Sequence, residues 1–190
     1  MATTSIIVEL LIIGFFTIVW ISLWSVRLAI IDLESLKGLI DIAKSTPGLM
    51  FITALSYQLG VVMNGISYRV TRRIAQSKYR DQIDPPFTYE DIIMKVRQNA
   101  SEEVNRALTM HLSVVRLTRA GMVNFSMIAV PMFLLGGKIA LAGIVPLFIA
   151  GLSAIGWRRA YRGFYSRVAY GYHEVTGKPI KEHLYKVGAS

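Results

Sequence analysis

IALAGIVPLFIAGLSAIGW, residues 139–157, contains no charged side chain, and Ser153 is its one hydroxyl. Nineteen residues in an α-helix reach about 29 Å, close to the ~30 Å hydrocarbon core of a bilayer. A helix buried in a soluble domain ordinarily keeps a polar face, and this stretch has none around its circumference. Three more runs approach the same length without an internal charge: Leu10–Val26, Leu49–Tyr68 and Gly121–Gly137. The Leu49–Tyr68 run also lacks a charged face.

Composition agrees. Of 190 residues, 53% are hydrophobic and 17% charged, mean hydropathy is +0.46, and the charges fall in blocks. The fold class expected is therefore an all-α integral membrane protein of four transmembrane helices, arranged two plus two. A helical cytoplasmic domain is expected from the central segment and the C-terminal tail. No Lys or Arg precedes the first run and no small-residue cleavage site follows Trp20 and Trp24, so it reads as a retained helix rather than a signal peptide. With no cysteine in the sequence, disulfides, thiolate nucleophiles and cysteine metal sites are excluded.

Lysine and arginine collect in cytoplasmic loops. Ten lie from Arg69 to Arg119 and seven from Arg158 to Lys186, against three in residues 27–48 and Lys138 alone between the last two runs. Both termini are thus expected in the cytoplasm, as in a multi-pass protein of a bacterial inner membrane. The chain divides into a first transmembrane hairpin (1–68, with an external loop 27–48), a basic helical segment (69–120), a second hairpin (121–157) and a basic aromatic tail (158–190). Trp20, Trp24, Tyr57, Tyr68 and Trp157 sit where rings favour the membrane interface. Ile31, Leu33, Leu36, Leu39 and Ile40 suit either an amphipathic surface helix or a continuation of the first helix.

Pro85-Pro86 reads as a stiff spacer, and Thr88 with Asp91 as a helix start. From Tyr89 to Ala120 there is neither Pro nor Gly, and the apolar residues recur at helical spacing. If unbroken, that helix extends about 48 Å and meets the third span at Gly121, its expected bend. Pro131 and Pro146 should kink or open their spans, and Gly136-Gly137 should form a tight turn. Gly136/Ala140, Ser56/Gly60 and Ala150/Ala154 have the small-residue spacing that allows close helix contact.

Catalytic chemistry is sparse. The three histidines, His111, His173 and His183, supply no zinc set, and no metal or cofactor is expected. Gly151-Leu152-Ser153-Ala154 resembles the G-x-S-x stretch of rhomboid-type intramembrane proteases, but no histidine lies in another span to take the serine proton, and Ile155 stands where a nucleophile elbow has glycine. Arg106-Ala-Leu-Thr-Met-His111 resembles the R-x4-6-H spacing of the HEPN ribonuclease superfamily. The resemblance implies an Arg and a His on adjacent turns contacting a scissile phosphate. It covers six residues; Arg167 and His173 match it too, and Ala107 replaces the usual polar residue.

Four uncharged polar residues inside the spans, Gln58, Asn64, Asn124 and Ser126, read as helix-contact or pore-lining groups. Arg69, Arg72, Arg73, Arg158, Arg159 and Arg162 border the spans and suit anionic lipid head groups, while Lys95 and Arg97 reach farther and suit an acidic partner. Aromatics interleaved in the tail (Tyr161, Phe164, Tyr165, Tyr170, Tyr172, Tyr185) suit packing on the long helix rather than stacking on nucleic-acid bases. The expected function is an oligomeric membrane sensor, pore or effector coupled to a cytoplasmic protein partner, similar in layout to small membrane proteins of bacterial anti-phage systems. A non-catalytic scaffold subunit is the alternative, and a membrane-anchored HEPN-like ribonuclease the third reading.

Overall fold

In a computed structural model of the chain, the first apolar run is one helix, α1 (Ala2–Arg27). The structure describes residues 2–32, 34–35, 37–38, 41, 44–79 and 89–177, with side chains for 4–71 and 93–177 among them. Among the described residues it is 92% helix with no strands, and four of the helices there are long and apolar enough to cross a membrane.

α1 stops at Arg27 for a local reason. The Ile30 amide donates to the Ser25 carbonyl (2.9 Å) and the Ala29 amide to Val26 (3.1 Å), the paired bonds of a Schellman cap, which needs a left-handed residue. That residue is Ala29, at φ 55. α1 therefore does not continue into the loop. Leu33, Leu36, Leu39 and Ile40 lie outside the described residues, and so do Pro85, Pro86, Thr88, His183 and Tyr185 and the side chains of Arg72, Arg73 and Asp91.

α2 (Thr46–Tyr79) starts under Ser45, whose hydroxyl accepts the Gly48 amide at 3.2 Å. Pro47 sits in the first turn, where no backbone donor is required. α3 (Tyr89–Asn99) and α4 (Glu102–Leu135) replace the single helix expected over Tyr89–Ala120. The break falls at Ala100-Ser101. There the Ser101 hydroxyl accepts the Val104 amide at 3.4 Å, and the Asn105 amide group donates to the carbonyls of Arg97 and Ala100 (3.2 and 3.3 Å). Two polar side chains thus satisfy the backbone groups that a break exposes. Gly121 is not a bend: α4 runs through it, and its missing side chain accommodates Ser153, whose Oγ would lie 3.2 Å from a Cβ there.

Gly136 and Gly137, at φ 75 and φ 56, make the expected turn. A short α5 (Gly137–Ala142) then precedes α6 (Ile144–Thr176). The fourth run is interrupted at Gly143 because the Pro146 ring excludes a continuous helix, lacking an amide and clashing with the carbonyl four residues back. Pro131 stays inside α4. Nothing lies within 4 Å of a Cβ placed on Gly136, so its role is the turn and not the helix contact expected with Ala140.

Two compact units result: Met1–Tyr68 with Arg116–Ile155, and Arg69–Val115 with Gly156–Ser190. At 34 residues each, α2 and α4 are about 51 Å long, roughly 20 Å more than a hydrocarbon layer, and both contribute to each unit. In the first unit α1 lies antiparallel to α2 at very close range. A Cβ on Gly60 would come 2.7 Å from the Leu10 carbonyl carbon, and one on Gly14 would come 2.8 Å from the Gly60 amide nitrogen. Ile13, Met63 and Ala120 form its buried centre. The second unit is built on Val96, Val104, Leu108, Val115, Trp157, Phe164 and Val168. Tyr161, Tyr165 and Tyr172 pack against this core, so most tail aromatics are structural, while Tyr170 is exposed. Trp157 is 5% exposed and belongs to that core.

Candidate functional site

The stripe Glu9, Ile13, Thr17, Trp20 recurs on α1 at four, four and three residues, so these side chains share one face. That face meets α4. Asn124, 1% exposed, stands opposite it and joins three residues of α1. Its oxygen accepts the Trp20 indole N–H and the Thr17 hydroxyl, each at 3.2 Å, and its amide donates to the Ile13 carbonyl at 2.9 Å. A helical carbonyl, a hydroxyl and an indole thus satisfy an amide buried within apolar helices, as burial of a polar group demands.

A second polar group lies nearer the N-terminal end of α1. Arg119 is 7% exposed and Glu9 4% exposed. The Arg119 guanidinium donates to Asn64 Oδ1 of α2 at 2.8 Å and lies 5.2 Å from the centroid of the Tyr68 ring, within cation–π range. Glu9 forms an ion pair with Arg116 at 3.6 Å and accepts the Ser5 hydroxyl at 3.1 Å. Arg119 follows Val115 by four residues, in phase with the buried stripe Val104, Leu108, Val115. That phase draws a charge inward that composition alone places at the edge of the apolar run.

The four polar residues expected as helix-contact or pore-lining groups lie in different surroundings. Asn64 and Asn124 are consumed by these two groups, and the Ser126 hydroxyl donates to its own helix at Met122 (2.8 Å). Gln58 points away from the interior and is exposed. Sequence reading missed Glu9, Thr17 and Arg119 as members of the buried polar set, and half-buried Arg116 as the partner of Glu9; their helical phase relative to apolar neighbours was the available signal.

In the second unit Arg106 is exposed, whereas His111 is half-buried. Its Nδ1 lies 3.0 Å from the Ala107 carbonyl, and its ring fills the notch at Gly163, where a Cβ would come within 3.0 Å. Five residues apart, the two side chains leave the helix about 140° from each other. The structure does not bring them together. Arg69, Lys95, Arg97, Arg158, Arg159 and Arg162 are all exposed, a solvated basic surface on the second unit. Among the described residues no cluster of three His, Asp or Glu could hold a metal ion. Half-buried Ser153 lies against Gly121, a packing position.

Compared with known protein families, curated proteins and solved structures, the chain finds no match.

Proposed function

We propose that the chain is a multi-pass membrane protein that works without catalysis, as an oligomeric sensor or effector linking the bilayer to a protein partner on its basic, cytoplasmic side. The carrying observation is the inverted polarity of the first unit. Its interior holds Glu9, Thr17, Arg119 and Asn124, while Phe15, Phe51, Val62, Phe133, Phe148 and Leu152 are exposed. Water would invert that distribution; a hydrocarbon solvent makes it the favourable one, because buried polar groups bond to one another and apolar groups face lipid. The seventeen basic residues on one side of the apolar runs, against four on the other, support cytoplasmic termini in a bacterial inner membrane.

Sensing or output needs an element that both parts share. α4 supplies Ala120 and Asn124 to one core and Val104, Leu108 and Val115 to the other. A change in how α1 and α2 hold Arg119 and Asn124 therefore reaches the second core along a single helix. The exposed arginines Arg69, Arg158, Arg159 and Arg162 follow the apolar stretches of α2 and α6 directly and suit anionic lipid, at about 1 kcal/mol each near the surface. Lys95 and Arg97 suit the acidic face of a partner.

The sequence has no cysteine, so single-cysteine variants test the topology. Lys138→Cys should react with an impermeant maleimide in intact cells, and Arg97→Cys only after inside-out vesicles are made. The reverse pattern would overturn the orientation. Asn124→Leu should speed proteolysis of the basic region in inside-out vesicles; an unchanged cleavage rate would overturn coupling through α4.

A further inference from the structure

The buried side of α2 within the first unit is marked by Ser56, Gly60, Met63 and Ser67. At 100° per residue, Gln58 stands about 170° from their mean direction, at the centre of the outward face. It is exposed, and among the described residues no hydrogen bond joins it. It is also the midpoint of the 26-residue span Thr46–Thr71. On the membrane reading, on which this inference rests, an amide at the midplane faces hydrocarbon. No water is there to satisfy it, and unsatisfied polar groups are not tolerated at that depth.

We propose that this face of α2 docks on the same face of a second copy of the chain, with the two Gln58 amides hydrogen-bonded to each other across a two-fold axis along the membrane normal. A second copy is the occupant because the amide is complementary to itself. It presents one acceptor and two donors, so a pair can exchange bonds, whereas a facing carboxylate or ammonium would bring an uncompensated charge. All copies insert with one orientation, so α2 meets α2 in parallel and identical residues oppose one another at the axis. The flanking residues fit. Ala54, Gln58, Val61 and Gly65, all exposed, are spaced four, three and four apart, the seam repeat of a left-handed helix pair. Ala54 is small, and a Cβ on Gly65 would meet nothing within 4 Å, so a second backbone has room to approach.

Single cysteines in the cysteine-free chain test the interface in isolated membranes oxidised with copper phenanthroline. Ala54→Cys and Gly65→Cys should give disulfide-linked homodimers, and Phe148→Cys, exposed on α6, should not. Adding Gln58→Leu should weaken the dimer about tenfold, equivalent to about 1.4 kcal/mol, while Gln58→Asn should retain it. Gln58 faces outward, so neither change disturbs the packed interior. Equal cross-linking at Phe148, insensitivity to Gln58→Leu, or cross-links only to a different protein would each overturn the proposal. Alkaline carbonate washing of the same membranes separates the two readings. Chain released to the supernatant ends the membrane assignment, whereas chain kept in the pellet without Ala54 or Gly65 dimers ends only this interface.

Discussion

Gly60→Ala should be among the most damaging single-methyl additions in the first unit, alongside Gly14→Ala. The new Cβ would lie 2.7 Å from the Leu10 carbonyl carbon and 3.1 Å from its Cα, where ordinary contacts begin at 3.4 Å. The shortfall at the carbonyl carbon is 3.4 − 2.7 = 0.7 Å, and the obstructing atoms are backbone, which cannot swing aside as a side-chain end does. α1 as a whole must move away from α2. Overpacking costs about 1–3 kcal/mol, and the rigid obstacle puts this case at the upper end, about 3 kcal/mol. Alanine's better helix propensity returns up to ~1 kcal/mol, leaving about 2 kcal/mol. At roughly 2–4 °C per kcal/mol for a chain of this size, Tm should fall by about 4–8 °C. The assay is thermal unfolding of detergent-solubilised protein followed by tryptophan fluorescence. Gly151→Ala is the control, since a Cβ there meets nothing within 4 Å and only the propensity gain applies. Its Tm should hold or rise. Equal melting of Gly60→Ala and Gly151→Ala would refute the close crossing of α1 and α2.

Other perturbations separate the remaining devices. Asn124→Leu leaves the half-buried Trp20 indole without its acceptor and should cost about 2 kcal/mol, read by the same unfolding assay, with Asn124→Asp no rescue because it adds a buried charge. Ala29→Gly relieves the left-handed strain at φ 55 and should stabilise the chain by about 1 kcal/mol, visible as a higher Tm. Asp32 is held below the ordinary carboxylate range chiefly because the Ser35 backbone N–H donates to it, with the Ser35 side chain adding to the effect. Its contribution is therefore complete above the unfolded pKa and lost as pH falls through the lower folded one; NMR titration of the Asp32 carboxyl should show that depressed midpoint, and Ser35→Pro should abolish it. In the second unit, a Cβ on Gly171 would approach Val96 Cγ1 at 2.6 Å, so Gly171→Val should expose the aromatic core to dye binding, whereas the same change at exposed Gly177 should strain only the helix end.

Composition and run length were enough to read four long apolar helices, because span length and absence of charge are properties of the chain alone. Ser56 and Gly60 were legible for a related reason: a four-residue spacing of small side chains already places them on one face. The break at Ala100-Ser101 was not. No Pro or Gly marks it, and it depends on Ser101 and Asn105 finding exposed backbone groups, one on the following turn, one on the preceding helix and one in the break itself. Pro146 announced an interruption but not its position at Gly143, which follows from the carbonyl its ring would strike.

The buried polar groups were hidden for a different reason. A count of charges assigns Arg116 and Arg119 to the edge of the third apolar run, since they precede it. The helix begins at Glu102, so both residues are interior to it, and direction rather than position decides their burial. Arg119 shares the phase of Val115, and Glu9 the phase of Ile13 and Thr17, so each is carried inward by the apolar residues beside it. Holding a charge there requires partners, which Asn64, Tyr68, Ser5 and the Glu9–Arg116 pair supply. Such partners are more costly to lose than to lack: removing one member of a buried pair strands the other, at about 3–5 kcal/mol. The groups therefore fix the register of α1 and α2 against α4 far more sharply than interchangeable apolar contacts could. Gln58 shows the converse. It has the same amide chemistry as Asn64 and Asn124 but the opposite phase, so it is exposed where they are drawn inward.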